Sequence, residues 1–140
     1  MMISTKGRYA LRVMADLAEH RDGGYIPLNS IAERQEISEK YLENILKALV
    51  KDELIKGVRG KHGGYLLVKE PSEYNLAEIL ESAEGTLAPV ACLLPGSDEC
   101  PRSNKCLTLP LWKDYERMVY GYFSGLTLQD LIDGRLMENE

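Results

Sequence analysis

What this sequence withholds narrows its chemistry before any motif is read. Only three cysteines occur among its 140 residues, an odd number that paired disulfides alone cannot use up. No apolar run approaches the ~20 residues a membrane-spanning helix requires. The N-terminal stretch MMISTKGRYALRVM has neither the uninterrupted apolar core nor the small-residue cleavage site of a secretory signal. The chain therefore reads as cytoplasmic, with no membrane partner. In a reducing compartment, clustered thiols point to metal or redox chemistry rather than to a structural disulfide. A phosphate loop, a nucleophile elbow and a paired-carboxylate motif are all missing, so the chain does not read as an enzyme. Internal repeats and low-complexity segments are missing too.

What is present is enough for one ordinary domain: 44% of the residues are hydrophobic, which at this length supports a real core. The net charge of −5 averages two unlike halves. Residues 1–69 hold 12 Lys and Arg against 9 Asp and Glu, whereas residues 70–140 hold 5 against 13. A positive first half joined to an acidic second half suggests a binding head and a separate body, although a solvated acidic face has the same composition.

Tyr9, Ala10, Val13, Met14, Leu17 and Ala18 recur at helical spacing, and RDGG ends that helix. PLNSIAERQ predicts a short second helix with Leu28, Ile31 and Ala32 inward. EIS breaks the chain, Ser38 is a good N-cap, and EKYLENILKALVKDE predicts a third helix burying Tyr41, Leu42, Ile45, Leu46 and Leu49. Two β-favouring runs, 54–58 and 65–68, flank RGKHGG, whose glycines supply the positive φ of a turn. Helix, short helix, tight turn, helix and hairpin is the order of a winged helix-turn-helix. The fold class expected is thus mainly α with a small β-hairpin: a winged head plus a long dimerisation helix. The head spans 1–70, and a linking helix capped by Asn75, with its loop, spans 71–91. The cysteine loop spans 92–106, and an aromatic-rich helix with a short terminal helix spans 107–134. In the terminal helix Thr127 and Asp130 have capping-box spacing. A tail follows at 135–140.

A recognition helix must turn short polar side chains toward base edges while its other face stays in the core. Ser38, Lys40, Glu43, Asn44 and Lys47 share one such side of the third helix. Asn can take adenine through its amide, and Glu can accept from cytosine N4. In RGKHGG, Gly60, Gly63 and Gly64 allow close backbone approach, while Arg59, Lys61 and His62 can meet phosphate or the minor groove. Taken separately, the polar face is that of any solvated helix and RGKHGG that of any hairpin turn. Their succession at helix-turn-helix spacing makes DNA binding the better explanation.

All three thiols lie in CLLPGSDECPRSNKC, at C-x7-C-x5-C. Zinc usually takes four ligands and a C-x2–4-C knuckle, which are not visible here. Two of the thiols could pair in a redox sensor, and iron–sulfur clusters, held by thiolates, tolerate varied spacing. Spacing leaves all three open, and inert cysteines beside them. Asp98 and Glu99 lie within the loop, although loop acids usually face water; His20 and His62 lie in the head, as surface histidines do.

STKGRYAL, SEKYLENILKAL, VRGKHGGYLL and the late three-cysteine loop closely resemble the IscR/NsrR/RirA family of winged-helix repressors and iron–sulfur sensors. The resemblance runs from about residue 2 to residue 134; the wing and the cysteines are its specific parts. It implies a homodimer on double-stranded operator DNA, with most of the dimer contact on the long late helix, where Leu111, Trp112, Tyr115, Val119 and Tyr122 form the expected seam. It places Ser38, Lys40, Tyr41, Glu43 and Asn44 at DNA, with Arg59 and Gly60 at the wing contact and Lys6 and Arg8 at the N-terminal contact. Lys47, Lys61 and His62 complete the expected interface.

For the loop, the resemblance implies an iron–sulfur cluster on Cys92, Cys100 and Cys106. The x7–x5 spacing looks like that of the RirA-type iron regulators, which favours 4Fe–4S over 2Fe–2S; IscR and NsrR typically show x5–x5. Both familiar fourth ligands are absent, because Leu109 stands where IscR has a histidine and Arg8 where NsrR has an aspartate. The expected function is a transcriptional regulator sensing iron or redox status. Its rivals are a cluster-free winged-helix repressor, sensing by thiol oxidation or a partner protein, and a small iron–sulfur redox protein, in which the winged head would have no purpose.

Overall fold

The computed structural model describes residues 2–137; residues 138–140 of the expected tail lie outside them. Helix α1 (Thr5–Glu19) starts where the Ser4 hydroxyl accepts from the Gly7 N–H at 3.2 Å. Its Ala10, Val13, Met14, Leu17 and Ala18 are fully buried, as their spacing on one face requires. Tyr9 is only half-buried, because it lies at the edge of that face. Helices α2 (Leu28–Gln35) and α3 (Glu39–Lys51) are joined by a turn in which Glu36 takes the left-handed conformation, φ 55°. That conformation costs a non-glycine residue about 1–2 kcal/mol. The next residue, Ile37, donates its N–H to the Ala32 carbonyl at 3.1 Å and buries its side chain, which offsets the strain.

Strands β1 (Ile55–Val58) and β2 (Gly64–Leu67) pair antiparallel, Ile55 opposite Leu67 and Val58 opposite Gly64. Each differs slightly in its bounds from the expected runs. Ile26 exchanges two backbone hydrogen bonds with Tyr65, at 2.9 and 2.8 Å, adding a one-residue third strand just before α2. This pairing explains Gly64: its φ is 150°, and a Cβ there would collide with the Ile26 carbonyl. Gly63 differs from the expectation, since it does not have a positive φ; a side chain there would overlap the Val58 carbonyl across the turn.

Beyond the hairpin, α4 (Leu76–Glu84) is capped by the Asn75 side chain, which accepts from the Glu78 N–H at 2.9 Å. Helix α5 (Leu109–Ser124) leads to the short α6 (Leu128–Ile132), which opens with the reciprocal Thr127–Asp130 capping box. Two backbone hydrogen bonds, Leu76 N–H to the Leu126 carbonyl (2.9 Å) and Leu128 N–H to the Tyr74 carbonyl (3.0 Å), stitch α6 to the start of α4. Leu128 and Tyr74 are fully buried in the same core as the side chains of α1, α2 and α3. The Tyr74 hydroxyl donates to the Leu54 carbonyl at 2.6 Å and accepts from the Val68 N–H at 2.9 Å. The interior is therefore shared across residue 70, where the charge balance changes sign. A smaller cluster of Ala77, Leu80 and Leu87, packed against Ile3, Leu11 and Phe123, ties the N-terminal segment to α4 and the end of α5. No side chain of α5 is fully buried, and Phe123 is its one residue packed against these clusters among the described residues.

The buried charge of this core is Asp16, 1% exposed. Its carboxylate accepts two hydrogen bonds from the Arg34 guanidinium (2.9 and 2.7 Å) and one from the Gln35 amide (2.9 Å), joining α1 to the last turn of α2. Burial pushes the Asp16 pKa up, but the Arg34 and Gln35 hydrogen bonds and the Arg34 charge together bring it below the ordinary 3.8. The stability contributed by the ionised form is thus present above about pH 3.8 and is lost as pH falls through the lower folded-state pKa. Removing one partner of a buried pair costs roughly 3–5 kcal/mol; Arg34 is 35% exposed and regains water, so the cost here should be smaller. Asp16→Asn is expected to lose about 2–3 kcal/mol at pH 7 and to lose part of the acid sensitivity of the wild type. Melting curves from pH 7 to pH 3 check both; equal acid sensitivity in the two proteins would rule the carboxylate out as a source of it.

Candidate nucleic-acid interface and cysteine loop

Helix α3 divides its two faces cleanly. Leu42, Ile45, Leu46 and Leu49 are buried, while Ser38, Lys40, Glu43, Asn44 and Lys47 face solvent. The helix is capped by Ser38, whose hydroxyl accepts from the Tyr41 N–H at 3.2 Å. Tyr41 itself is half-buried, its ring edge-on to Tyr9 at 5.8 Å. Across from this face stands the hairpin. Glu43, Asn44 and Lys47 of α3 and Gly57, Val58 and Arg59 of the hairpin line one groove of about 540 Å³. Arg59, Gly60, Lys61 and His62 are exposed at and beside the hairpin tip, closed by a Gly63 N–H to Gly60 carbonyl bond of 3.0 Å. Positions separated by a dozen residues in sequence are thereby set on one surface.

Lys6 and Arg8 lie on the first turns of α1. The Arg8 guanidinium donates to the Thr5 hydroxyl at 3.1 Å and sits 5.9 Å from the Tyr9 ring centre. One exposed cation beside them was not expected: Arg12, 4.9 Å over the same ring, donating through Nε to the Gln35 side chain at 3.2 Å and through its other nitrogen to the Gln35 carbonyl. Its spacing four residues after Arg8 was the available sign.

The three cysteines are free thiols on the segment between α4 and α5. Cys92 is exposed on a single 3₁₀ turn, Ala91–Leu93; Cys100 and Cys106 are half-buried. Cys106 lies next to the start of α5, and its pKa is lowered, first by the Thr108 hydroxyl (3.3 Å), then by the Thr108 and Leu109 backbone N–H groups and the Arg102 charge. Among the described residues, no three His, Cys, Asp or Glu side chains are gathered closely enough to hold a metal ion. Chemically the donor set suits iron–sulfur ligation: three soft thiols, one with a lowered pKa, on irregular backbone that can rearrange without breaking a helix.

Past the loop, α5 carries an open apolar stripe. Leu111, Tyr115, Met118 and Tyr122 recur at four-three-four spacing on one side, and Leu111, Met118 and Tyr122 are 58%, 65% and 60% exposed. Trp112 and Val119, also expected in the seam, are half-buried and share their helical side with Phe123, which faces the core. Met118 was not among the expected residues, although the same spacing contains it. No helix of the described residues is long and apolar enough to cross a membrane.

A reading head with a polar recognition helix, a glycine-pinned wing and a basic first helix defines the class: a winged helix-turn-helix, DNA-binding transcriptional regulator. The chain matches Rrf2, iron-dependent transcriptional regulator, over residues 3–134, and it belongs to that family. It is 38% identical over 135 residues to the HTH-type transcriptional regulator IscR of Photorhabdus laumondii, covering 96% of this chain and 81% of that one. Among solved structures it is similar to T. potens IscR (TM-score 0.75, 31% identity, 100% and 92% of the two chains). It is equally similar to CymR, the global cysteine regulator of B. subtilis (TM-score 0.74, 34% identity, 95% and 97%).

Proposed function

We propose that this regulator acts as a homodimer on operator DNA and reports iron or redox status through an iron–sulfur cluster, 4Fe–4S rather than 2Fe–2S, held by Cys92, Cys100 and Cys106. The carrying observation is the pooling of every thiol of the chain on one irregular loop that runs directly into a helix with an uncovered apolar stripe. The similarity to IscR proteins and to an iron-dependent family supports it; the resemblance of the x7–x5 spacing to that of RirA-type regulators favours the 4Fe–4S form. When bound, the cluster supplies a thiolate-held iron centre whose gain or loss changes what ties the loop together. The loop and α5 then have two arrangements, each setting a different spacing of two heads on the operator.

A second reading, cluster-free thiol sensing, is favoured by the similarity to CymR, one structure of which is an oxidised form. Anaerobic purification followed by an absorbance spectrum with iron and sulfide counts separates the two. About four irons and four sulfides per chain fit the first; metal-free protein whose thiols oxidise reversibly fits the second.

In the DNA-binding surface, Arg59, Lys61, Lys6 and Arg8 serve as backbone contacts, and Ser38, Lys40, Tyr41, Glu43, Asn44 and Lys47 present the base-reading face, with Gly60 and His62 at the wing tip. Arg59→Ala and Lys61→Ala are expected to weaken binding to all sequences alike, each flattening the log–log salt slope by about 0.9. Asn44→Ala should instead relax base preference at one position, by about 1–3 kcal/mol for a bidentate contact. Titrations on operator and scrambled duplexes at several salt concentrations measure both, and variants indistinguishable from wild type would mean that this surface is not the reader.

A further inference from the structure

The N-terminal end of α1 is held from the far side of the chain. The Ser4 main-chain N–H donates to Glu84 Oε1 at 2.9 Å and the Ser4 hydroxyl donates to the same oxygen at 2.6 Å. The Ser4 hydroxyl in turn accepts from the Gly7 N–H. One carboxylate from the last turn of α4 therefore fixes the residue that caps α1, and a negative charge there is favoured by the helix dipole. Gly7 is part of the same arrangement. It is buried, and a Cβ at this position would overlap the Glu84 carboxylate and press on Ile3 at 3.0 Å. In the middle of a first turn, where alanine is the better helix former, glycine stands at a position where only the missing side chain admits Glu84.

Beside this contact, Ile3 packs against the cluster of Ala77, Leu80 and Leu87, which Phe123 of α5 also touches. Leu87, three residues after Glu84, is the last buried residue before the cysteine loop, and α5 is the first helix after it. Lys6 and Arg8 follow Ser4 by two and four residues.

We infer that Glu84 is a positioning residue for DNA binding: by holding Ser4 in the space left by Gly7, it sets the first turns of α1 so that Lys6 and Arg8 meet the backbone of the operator. This rests on the assignment of Lys6 and Arg8 as phosphate contacts. With Glu84 removed, Ser4 loses the acceptor for two donors and the segment ahead of Gly7 frays, while the helix stays docked through Ala10, Val13 and Met14. The two cations then pay an ordering cost on binding, so affinity falls and fewer counterions are released.

The test uses the full chain and a duplex carrying its operator, with affinity measured across a salt series and melting temperature recorded in parallel. Glu84→Ala is expected to weaken binding about 3–10-fold and flatten the salt slope by about 1–2, with the fold intact. Gly7→Ala should do the same, because its methyl displaces the flexible carboxylate rather than any backbone. The double variant should bind no worse than Glu84→Ala alone, since both remove one contact. Glu84→Gln, which keeps an acceptor at the same reach, should recover most of the affinity. A Glu84→Ala protein that melts lower but keeps the wild-type salt slope overturns the inference. Lys6→Ala and Arg8→Ala run alongside: if they leave the slope unchanged while Arg59→Ala flattens it, the N-terminal contacts themselves are wrong and Glu84 positions nothing at DNA.

Discussion

Replacing Tyr115 and Met118 together by glutamate is expected to yield a folded monomer whose operator affinity is lower by about 100-fold or more. Leu111, Tyr115, Met118 and Tyr122 form a continuous apolar stripe on a helix with no fully buried residue, an arrangement a soluble monomer rarely keeps. Two copies meeting along it would remove that surface from water, whereas paired carboxylates in the seam would have to be desolvated. Because the stripe lies away from the Phe123 side, the fold of each chain should survive. One head reads only a short half-site, and linking two heads raises avidity by roughly 10²–10⁴ without new contacts. Mass in solution and operator titration give the two readouts. A wild-type protein that is already monomeric, free and on DNA, would sink the dimer.

The other large effect belongs to the thiols. Changing any one of Cys92, Cys100 and Cys106 to alanine is expected to reduce bound iron and sulfide by about 10-fold or more. No fourth cysteine exists to substitute. In the proposed cluster one iron site would be left to a weaker ligand than thiolate, which would make that iron the one removed first by chelator or oxygen. None of the three cysteines belongs to the buried core, so the folded protein should persist after the cluster is gone. A chelator or air titration followed by absorbance and DNA binding together tests the regulatory role. Complete loss of the chromophore with unchanged operator affinity would falsify that role, whatever the loop binds.

Local signals carried most of the fold. Ser38, Asn75 and the Thr127–Asp130 pair mark helix starts because their side chains bond backbone three residues on, a relation that sequence spacing states outright. The inward faces of α1 and α3 follow from apolar periodicity in the same way. What escaped depends on partners distant in the chain. Asp16 reads as one acid on an amphipathic helix until Arg34 and Gln35, 18 and 19 residues later, close on it. The Ile26–Tyr65 pairing and the Ser4–Glu84 contact span 39 and 80 residues, and neither leaves a pattern in composition. The stripe on α5 was legible in part: aromatic content drew attention to Trp112, while the four-three-four spacing that singles out Met118 is the stronger guide to what faces outward.

The attachment of α5 has a mechanical consequence. The helix is fixed at its C-terminal end, through Phe123 and the stitched Leu126–Leu128 segment, and meets the cysteine loop at the other. Sixteen residues at 1.5 Å each make a rod of about 24 Å whose firmest attachment, through Phe123, lies near one end. A displacement on the order of 3 Å at Cys106 then turns the rod through only about 7°, and the movement shrinks steadily from Leu111 toward Tyr122. Such a lever would trade distance for force: in the proposed dimer, a rearrangement of the cysteine loop would become a small rotation where the heads attach, able to reset the spacing of two recognition helices without disturbing the core of either.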